Sequence, residues 1–424
     1  MSDPGVSLQP RVAMLLDEPF PPDARIRREA QALARAGYQV TLLCMHQPGQ
    51  ALDEVFGQGE AAFRVIRLPA CKRDTARGLL QMPQTWIDNW AWRVTHQDKR
   101  WMRAAEPILA ALKPDVLHLH DLRILPTGLA LAKALSIKRT IADLHENYPA
   151  LIASLQKNPV QAALKLKLWQ QVEARYLPAA SHIITVVEEA QERLVAAGHP
   201  AERITVIPNT VDTDMFLKSP PESLNLPESP EFDAPIGPNL VYIGHINAAH
   251  RGIQTVIDAL PELLANYPDL KLILAGATQA HYREALEQQA QALGVDSAII
   301  YTGKLTELAF RPYIQAATLC LCPHEKNEQT QATFPNKAYL YHLYAKPVLA
   351  SDCIPLKRYM DQTEGGLTFE AGNPQDLARC VLTLLKNPNA AAQMGRNGEK
   401  AVLERFNWGQ DAKRLVALYN ALLA

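Results

Sequence analysis

The feature that most constrains this chain is a repeated alternation of strand and helix. Residues 11–17, RVAMLLD, are a continuous apolar run that reads as a buried strand. Residues 25–36, RIRREAQALARA, have helical spacing, with Ile26, Ala30, Leu33 and Ala34 on one side. Gly37 is a helix-stop residue, and YQVTLLC is the next strand. That is a β-α-β unit, right-handed and parallel by rule. The alternation returns at DVLHLHD (115–121), LPTGLALAKAL and KRTIADLHE, then at HIITVVEEAQERLVAAG and ERITVIPN. Residues 217–237 interrupt it with Pro, Ser and acid and no period, as a linker does. It resumes with NLVYIGHI, GIQTVIDALPELLANY, LKLILAG, HYREALEQQAQALG and AIIYTGK. Three more short strands follow: TLCLCPH, KPVLASD and GLTFEA. The class is therefore α/β, with two doubly wound Rossmann-like domains. Ligands are expected beyond the carboxyl ends of the strands, in a cleft between the domains.

Other classes fit poorly. A net charge of -1 over 424 residues argues against a general nucleic-acid binder. The first strand is followed by EPFPPDAR, with prolines where a dinucleotide fold needs glycines, and the second strand ends in Cys-Met-His rather than an acid. The dinucleotide fingerprint is absent on both counts. Six cysteines are scattered, and Cys320-x-Cys322 lacks zinc-knuckle spacing, so buried free thiols in a reducing cytosol are expected. The N-terminus MSDPGVSLQP has no apolar signal core, and no run approaches the ~20 apolar residues that span a bilayer. A cytoplasmic protein is expected. Residues 72–103 hold Trp86, Trp90, Trp92 and Trp101, with seven Lys/Arg against three Asp. That mixture suits either peripheral contact with the inner face of a membrane or an insertion packed on its own domain.

Segments in order along the chain resemble the retaining glycosyltransferases of family 4, which have the GT-B fold. They include PPDARIRREAQALARAGYQVTLL, DVLHLHDLRILPTG, ADLHENYP, ITVIPNTVDTDMF, VYIGHINAAHRGIQTVIDAL, YTGKL and FPNKAYLYHLYAKPVLASD. Each motif alone is weak, whereas the ordered series fixes both halves and the linker. The resemblance implies an acceptor-binding domain at 1–216, a linker at 217–237 and a nucleotide-sugar-binding domain at 238–406. It also implies that a C-terminal helix, 407–424, packs back on the first domain. The implied reaction moves a sugar from a UDP- or GDP-sugar to a glycan or lipid-linked acceptor in surface polysaccharide or glycolipid assembly. No cofactor or metal is implied. Two alternatives share the fold: a weakened pseudo-enzyme that only binds, and an epimerase that consumes a sugar nucleotide with no acceptor.

The chemistry must stabilise a departing diphosphate, which cations and helix N-terminal N–H groups do. Thr333, Pro335 and Asn336 form a helix tip, with Thr333 as its cap, and Lys337 adds charge. Gly244, His245 and Arg251 mark the first strand–helix junction of the second domain, and Lys304 follows a later strand. His245 departs from the basic residue usual in the family. In the first domain His118 and His120 share a strand face, and the resemblance places His120 beside the reacting sugar. Asp23, Arg25, Asp121, His145 and Glu146 are the acceptor-side candidates, with a structural salt bridge at Asp23 and Arg25 as the alternative. His118, His120, Asp121 and His145 would also suit a metallohydrolase. An isolated H-x-H with no ligand set in the second half makes that reading weak, and no metal site is expected.

One family feature is missing. The glutamates of E-x7-E fall on Ala332 and Leu340. Leu340 shares a helix face with Asn336 and Lys337, so it is expected to face the ligand with nothing to accept a ribose hydroxyl. A charged hydrogen bond of that kind is worth roughly 1.5–3 kcal/mol. Glu325 and Glu328 lie on the preceding loop as candidate replacements.

Overall fold

The computed structural model of the chain describes residues 9–21, 24–68, 92, 94–156, 158–218, 235–247 and 249–424. They divide into two compact units, Met1–Pro208 with Asp411–Ala424, and Asn209–Gln410.

In the first unit the described residues form an eight-stranded sheet, ordered β3-β4-β2-β1-β5-β6-β7-β8. The strands are β1 (Arg11–Pro19), β2 (Gln39–Met45), β3 (Asp53–Phe56), β4 (Phe63–Leu68), β5 (Val116–His120), β6 (Arg139–Leu144), β7 (His182–Thr185) and β8 (Ile204–Val206). All pair in parallel except β3, which runs antiparallel to β4 at the edge. Helices cover the sheet, so β5 is buried throughout and β1 is buried from Val12 to Leu16, an unbroken apolar run. The edge pair β3–β4 escapes the sequence reading because β3, DEVF, is short, polar and half exposed. The chain leaves β1 for β2 on one side and returns to β5 on the other. The carboxyl ends of β1 and β5 are therefore the switch point, where ligands gather in such sheets. His120 ends β5 and pairs in register with Leu16 and Asp143.

The second unit has a six-stranded sheet among the described residues, ordered β11-β10-β9-β12-β13-β14. Its strands are β9 (Asn239–Ile243), β10 (Lys271–Ala275), β11 (Ile299–Gly303), β12 (Leu319–Cys322), β13 (Val348–Ser351) and β14 (Gly366–Phe369). Here β9 and β12 flank the switch point. One apolar cluster, with Leu240, Val256 and Leu260, lies under the helices Ile253–Asn266 and Pro374–Lys386. Another, with Val241, Cys320 and Tyr341, lies under the helix Lys337–Leu343.

The last helix runs from Trp408 to Leu423, and its residues from Asp411 onward count with the first unit. Leu415 and Tyr419 are fully buried there, and Tyr38 donates its hydroxyl to Asn420 Oδ1 at 2.6 Å. Most of the expected linker, and Cys71, lie outside the described residues. Cys44, Cys320, Cys322, Cys353 and Cys380 are free and buried. No helix among the described residues is long and apolar enough to cross a membrane. Trp101 is fully buried, so it does not serve a bilayer surface, and Trp92 packs partly buried against the same core. The reason is helix phase: Trp101, Ala105 and Leu109 form the inner face of the helix Lys99–Leu112. Trp86 and Trp90 lie outside the described residues.

Candidate functional site

In the second unit two elements bring cations to the switch point. β9 ends at Ile243, and Gly244 takes φ +106°, a backbone region that side chains rarely adopt. A Cβ placed on Gly244 would lie 3.5 Å from Lys337 Nζ, so the lysine closes on the strand end. Lys337 Nζ also sits 3.4 Å from the centre of the Tyr242 ring, a cation–π contact. Burial holds this ammonium well below its usual pKa, and the neighbouring Arg251 pushes the same way. Arg251 closes a 3-10 turn after β9 and donates Nη1 to His324 Nε2 at 3.3 Å. His324 follows β12, is buried, and is held neutral by that burial and by Lys337 and Arg251. Among the described residues, the groups that act on Lys337 are Arg251 and Cys322, and no carboxylate is among them. The result is a desolvated lysine beside an arginine, with no carboxylate acting on the lysine among the described residues, an arrangement that costs stability until an anion arrives.

The remaining candidates of this unit divide. His245 is exposed, and its carbonyl accepts from the Tyr242 hydroxyl at 3.1 Å. Lys304 is exposed after the edge strand β11, separated from β9 by β10. Thr333 is not the helix cap. Its hydroxyl donates to Gln329 O at 2.9 Å, and Asn336 takes the cap position with no side-chain bond to the helix. The local turn wins because the Gln329 carbonyl is within its reach. Pro335 O accepts from the Ala338 amide at 3.0 Å and starts the turn.

Leu340 does not present itself to a ligand. It is 6% exposed and belongs to the apolar cluster under its helix, and Ala332 is equally buried. An alkyl side chain gains about 2 kcal/mol by burial, so the position left by a carboxylate has become core. Glu325 accepts from Thr255 Oγ1 at 2.7 Å, tying the loop to the first turn of the helix Ile253–Asn266, while Glu328 is exposed and engaged elsewhere.

The first unit holds a buried polar cluster at its switch point. Arg25 is 2% exposed and turned inward, not toward solvent where an acceptor would meet it. It donates to Ile207 O at 2.9 Å and to Asp143 Oδ1 at 3.1 Å. Its Nη2 lies 2.8 Å from Glu29 Oε1, close but not aligned as a hydrogen bond. Two carboxylates within reach make this inward pose the favourable one, so the structural salt bridge holds for Arg25. Asp23 lies outside the described residues. His118 Nδ1 meets the Tyr419 hydroxyl at 2.7 Å, and the rings of His118 and His120 stack at 4.3 Å. His145 Nε2 lies 3.2 Å from Asp143 Oδ2 and 3.3 Å from His120 Nδ1. Asp121 has φ +74° and sits 3.7 Å from His145 Nδ1. Glu146 is exposed.

Burial sets the charges. It lifts Glu29 to about 8 against the pull of Arg25, with the Asp143 charge adding to the rise. It lowers His118, and takes His120 to about 3 with help from His118. Burial would also lower His145, but the Asp121 and Asp143 carboxylates outweigh it and raise the imidazole to about 10. For Asp143, burial is outweighed by Arg25 and then His145, which keep it ionised. His120 thus closes the strand as a neutral ring beside a charged His145. Glu29 was legible as the i+4 partner of Arg25. Tyr242, His324 and Tyr419 carry no motif, and only the fold reveals them.

The model for Glycosyltransferase Family 4 matches residues 24–215, and that for Glycosyl transferases group 1 matches 237–387. A 2-deoxystreptamine glucosyltransferase of Streptomyces kanamyceticus is 23% identical over 94% of this chain and 98% of its own length. A phosphatidyl-myo-inositol mannosyltransferase of Mycobacterium leprae is 23% identical over 51% of this chain, which spans about half of that relative, 53%. The structure of Anabaena HepE in complex with UDP-glucose superposes with a TM-score of 0.66 at 16% identity, covering 97% of this chain and 99% of that one. Two parallel-sheet α/β units, matched in order by both models, make this chain a member of the family 4, group 1 glycosyltransferases with the GT-B fold.

Proposed function

We propose that the chain is a retaining glycosyltransferase that takes its sugar from a nucleoside-diphosphate sugar and passes it to a glycan or lipid-linked acceptor. The observation that carries the donor half is Lys337 closing on Gly244 beside Arg251, with no carboxylate acting on the lysine among the described residues. A diphosphate supplies the missing charge, and it gains two charge-assisted contacts in a partly water-excluded site. The same cations then stabilise the diphosphate as the glycosidic bond breaks. Gly244 matters because its lack of a side chain leaves room for phosphate at the strand end. His324 keeps the Arg251 guanidinium oriented and, being neutral, adds no competing charge. The relatives' names point the same way, with glucosyl and mannosyl transfer and a UDP-glucose complex among them.

On the acceptor side, His145 is the group beside which the reacting sugar would lie, with Glu146 and Asp121 at the rim; His120, expected there from the sequence, is 1% exposed and buried against His145. Retention follows in this reading from same-face attack, with the leaving diphosphate taking the acceptor proton, so no side-chain nucleophile is assigned. The burial of Ala332 and Leu340 favours a second reading, in which the chain binds a donor and turns it over poorly.

Thermal shift against UDP, GDP, UDP-glucose and GDP-mannose tests the donor site. One nucleotide is expected to raise the wild-type Tm, and Arg251→Ala and Lys337→Ala are expected to lose the shift. If no nucleotide moves the wild type, the donor reading fails. Nuclear magnetic resonance of the product anomer then tests retention, and binding without turnover would favour the second reading.

A further inference from the structure

The buried cluster of the first unit contains more unpartnered polar atoms than a sheet interior tolerates. Glu29 Oε2, Glu29 Oε1, His118 Nε2 and His120 Nε2 are buried without a hydrogen-bond partner. Each such atom costs on the order of 1–3 kcal/mol unless something fills the gap. We propose that Glu29, His118, His120 and Asp143 form a buried site for one zinc-class dication, a structural ion separate from the diphosphate chemistry.

Geometry supports this. One donor atom from each of the four residues lies within 4.8 Å of the other three. His118 Nε2 is 3.4 Å from Asp143 Oδ2 and 3.9 Å from Glu29 Oε2. His120 Nδ1 is 3.5 Å and 3.9 Å from the same two oxygens. Bonds of about 2.0–2.2 Å to a tetrahedral zinc require edges of about 3.3–3.6 Å between ligand atoms. Of the six edges of such a tetrahedron, these are the four between a histidine and a carboxylate: two already fit, and two close with a shift of a few tenths of an ångström at Glu29.

The surrounding shell has the right roles. Arg25 Nη2 approaches the outer oxygens, Glu29 Oε1 at 2.8 Å and Asp143 Oδ1 at 3.1 Å, which turns Oε2 and Oδ2 inward. Tyr419 meets His118 Nδ1 at 2.7 Å, so Nε2 is the nitrogen left to bind metal. Coordination through His120 Nδ1 would displace its contact with His145 Nε2 at 3.3 Å and place the proton on Nε2, so the ion serves the orphans Glu29 Oε2 and His118 Nε2 and not His120 Nε2. Asp143 Oδ2 also receives His145 Nε2 at 3.2 Å and Arg25 Nη2 at 3.3 Å, and it must yield these to the ion. Two neutral imidazoles and two carboxylates are a borderline-soft, four-ligand set that suits Zn2+ and its stand-in Co2+ rather than Mg2+ or Ca2+. Such an ion would tie the helix Ala24–Arg35 to β5 and β6. The competing occupant of the same gap is protons.

The probes are zinc and cobalt themselves. The full chain, without a histidine tag, is produced in zinc-supplemented medium and passed through gel filtration with a chelator. About one zinc per chain is expected to survive, since a buried structural site exchanges slowly. Glu29→Gln and His118→Asn are expected to cut the content at least tenfold while circular dichroism shows them folded. The wild type produced with cobalt is expected to show the intense visible absorption of tetrahedral Co2+, which decides the matter if neither variant folds. Wild type carrying under about 0.1 metal per chain would overturn the site and leave protons as the occupant. So would variants that keep a full load, or a weak octahedral cobalt spectrum. None of these outcomes bears on nucleotide binding by the second unit.

Discussion

In the proposed donor site Lys337 is the residue on which recognition would turn, and its setting works against the empty protein. The ammonium is desolvated, stands over the Tyr242 ring and shares its space with Arg251. Removing it takes one charged partner from the diphosphate, worth roughly 1.5–3 kcal/mol, or about 10- to 150-fold in Kd. Lys337→Ala is therefore expected to weaken nucleotide binding by that factor in calorimetry. It is also expected to leave the ligand-free Tm unchanged or raise it, because a like-charge repulsion disappears. A Tm that falls by many degrees would mean the lysine is structural. Leu340 gives the opposite case. Restoring the family's glutamate by Leu340→Glu places a carboxyl in the apolar cluster under the helix Lys337–Leu343. That substitution is expected to cost at least about 2 kcal/mol in urea unfolding without improving nucleotide affinity. The family resemblance made the absence of a carboxylate at Leu340 legible, but not that this position lies in the core. Facing inward or outward at one helix position depends on the neighbouring helices, which a spacing argument does not contain.

The helix Lys337–Leu343 is short, and its position is set by what grips it rather than by its own stability. His342 is fully buried, accepts from the Tyr359 hydroxyl through Nδ1 at 2.8 Å, and donates through Nε2 to Gly365 O at 3.0 Å. On the far side, a Cβ at Gly398 would approach the His342 ring to 2.4 Å, so the helix Pro388–Glu404 can lie this close only with a glycine there. Gly398→Ala is expected to destabilise the second unit by roughly 1–3 kcal/mol, measured as a lowered urea midpoint with an unchanged slope. The same histidine makes the element sensitive to acid. Burial lowers its pKa from 6.5 to about 4. The unfolded chain therefore binds the extra proton first. The contribution of the neutral ring is present above about pH 6.5 and fades as pH falls toward 4, by about 3 kcal/mol in all. Comparing wild type with His342→Gln isolates this part: the variant is expected to show a flatter stability profile between pH 4 and 6.5. Parallel profiles would assign the acid sensitivity of this unit to other groups.

At the scale of the whole molecule, what was legible is what repeats. Strand–helix alternation, the presence of two units and the two strand ends at His120 and Gly244 follow from local periodicity, which one chain displays openly. What joins distant segments does not. His118 and Tyr419 are 301 positions apart, and no composition or spacing pairs them. The sequence reading placed the last helix with the first domain only through a family resemblance, and the contact that makes this placement chemical is visible in the fold alone. Its consequence is that the last residues of the chain help hold the strand that presents His120. Tyr419→Phe keeps the buried ring and removes only the hydroxyl from His118, a change worth roughly 1–3 kcal/mol if the imidazole nitrogen is left unsatisfied. Deleting 411–424 also exposes the apolar surface that Leu415 and Tyr419 cover. Hydrogen exchange separates these effects. Tyr419→Phe is expected to speed exchange modestly in β5 and β6, and the truncation to speed it throughout the first unit. The amides of β9 and β12, in the second unit, are expected to keep their protection in Tyr419→Phe. Uniform loss across both units in that single-atom variant would show that the helix stabilises the chain by a route other than its contact with His118.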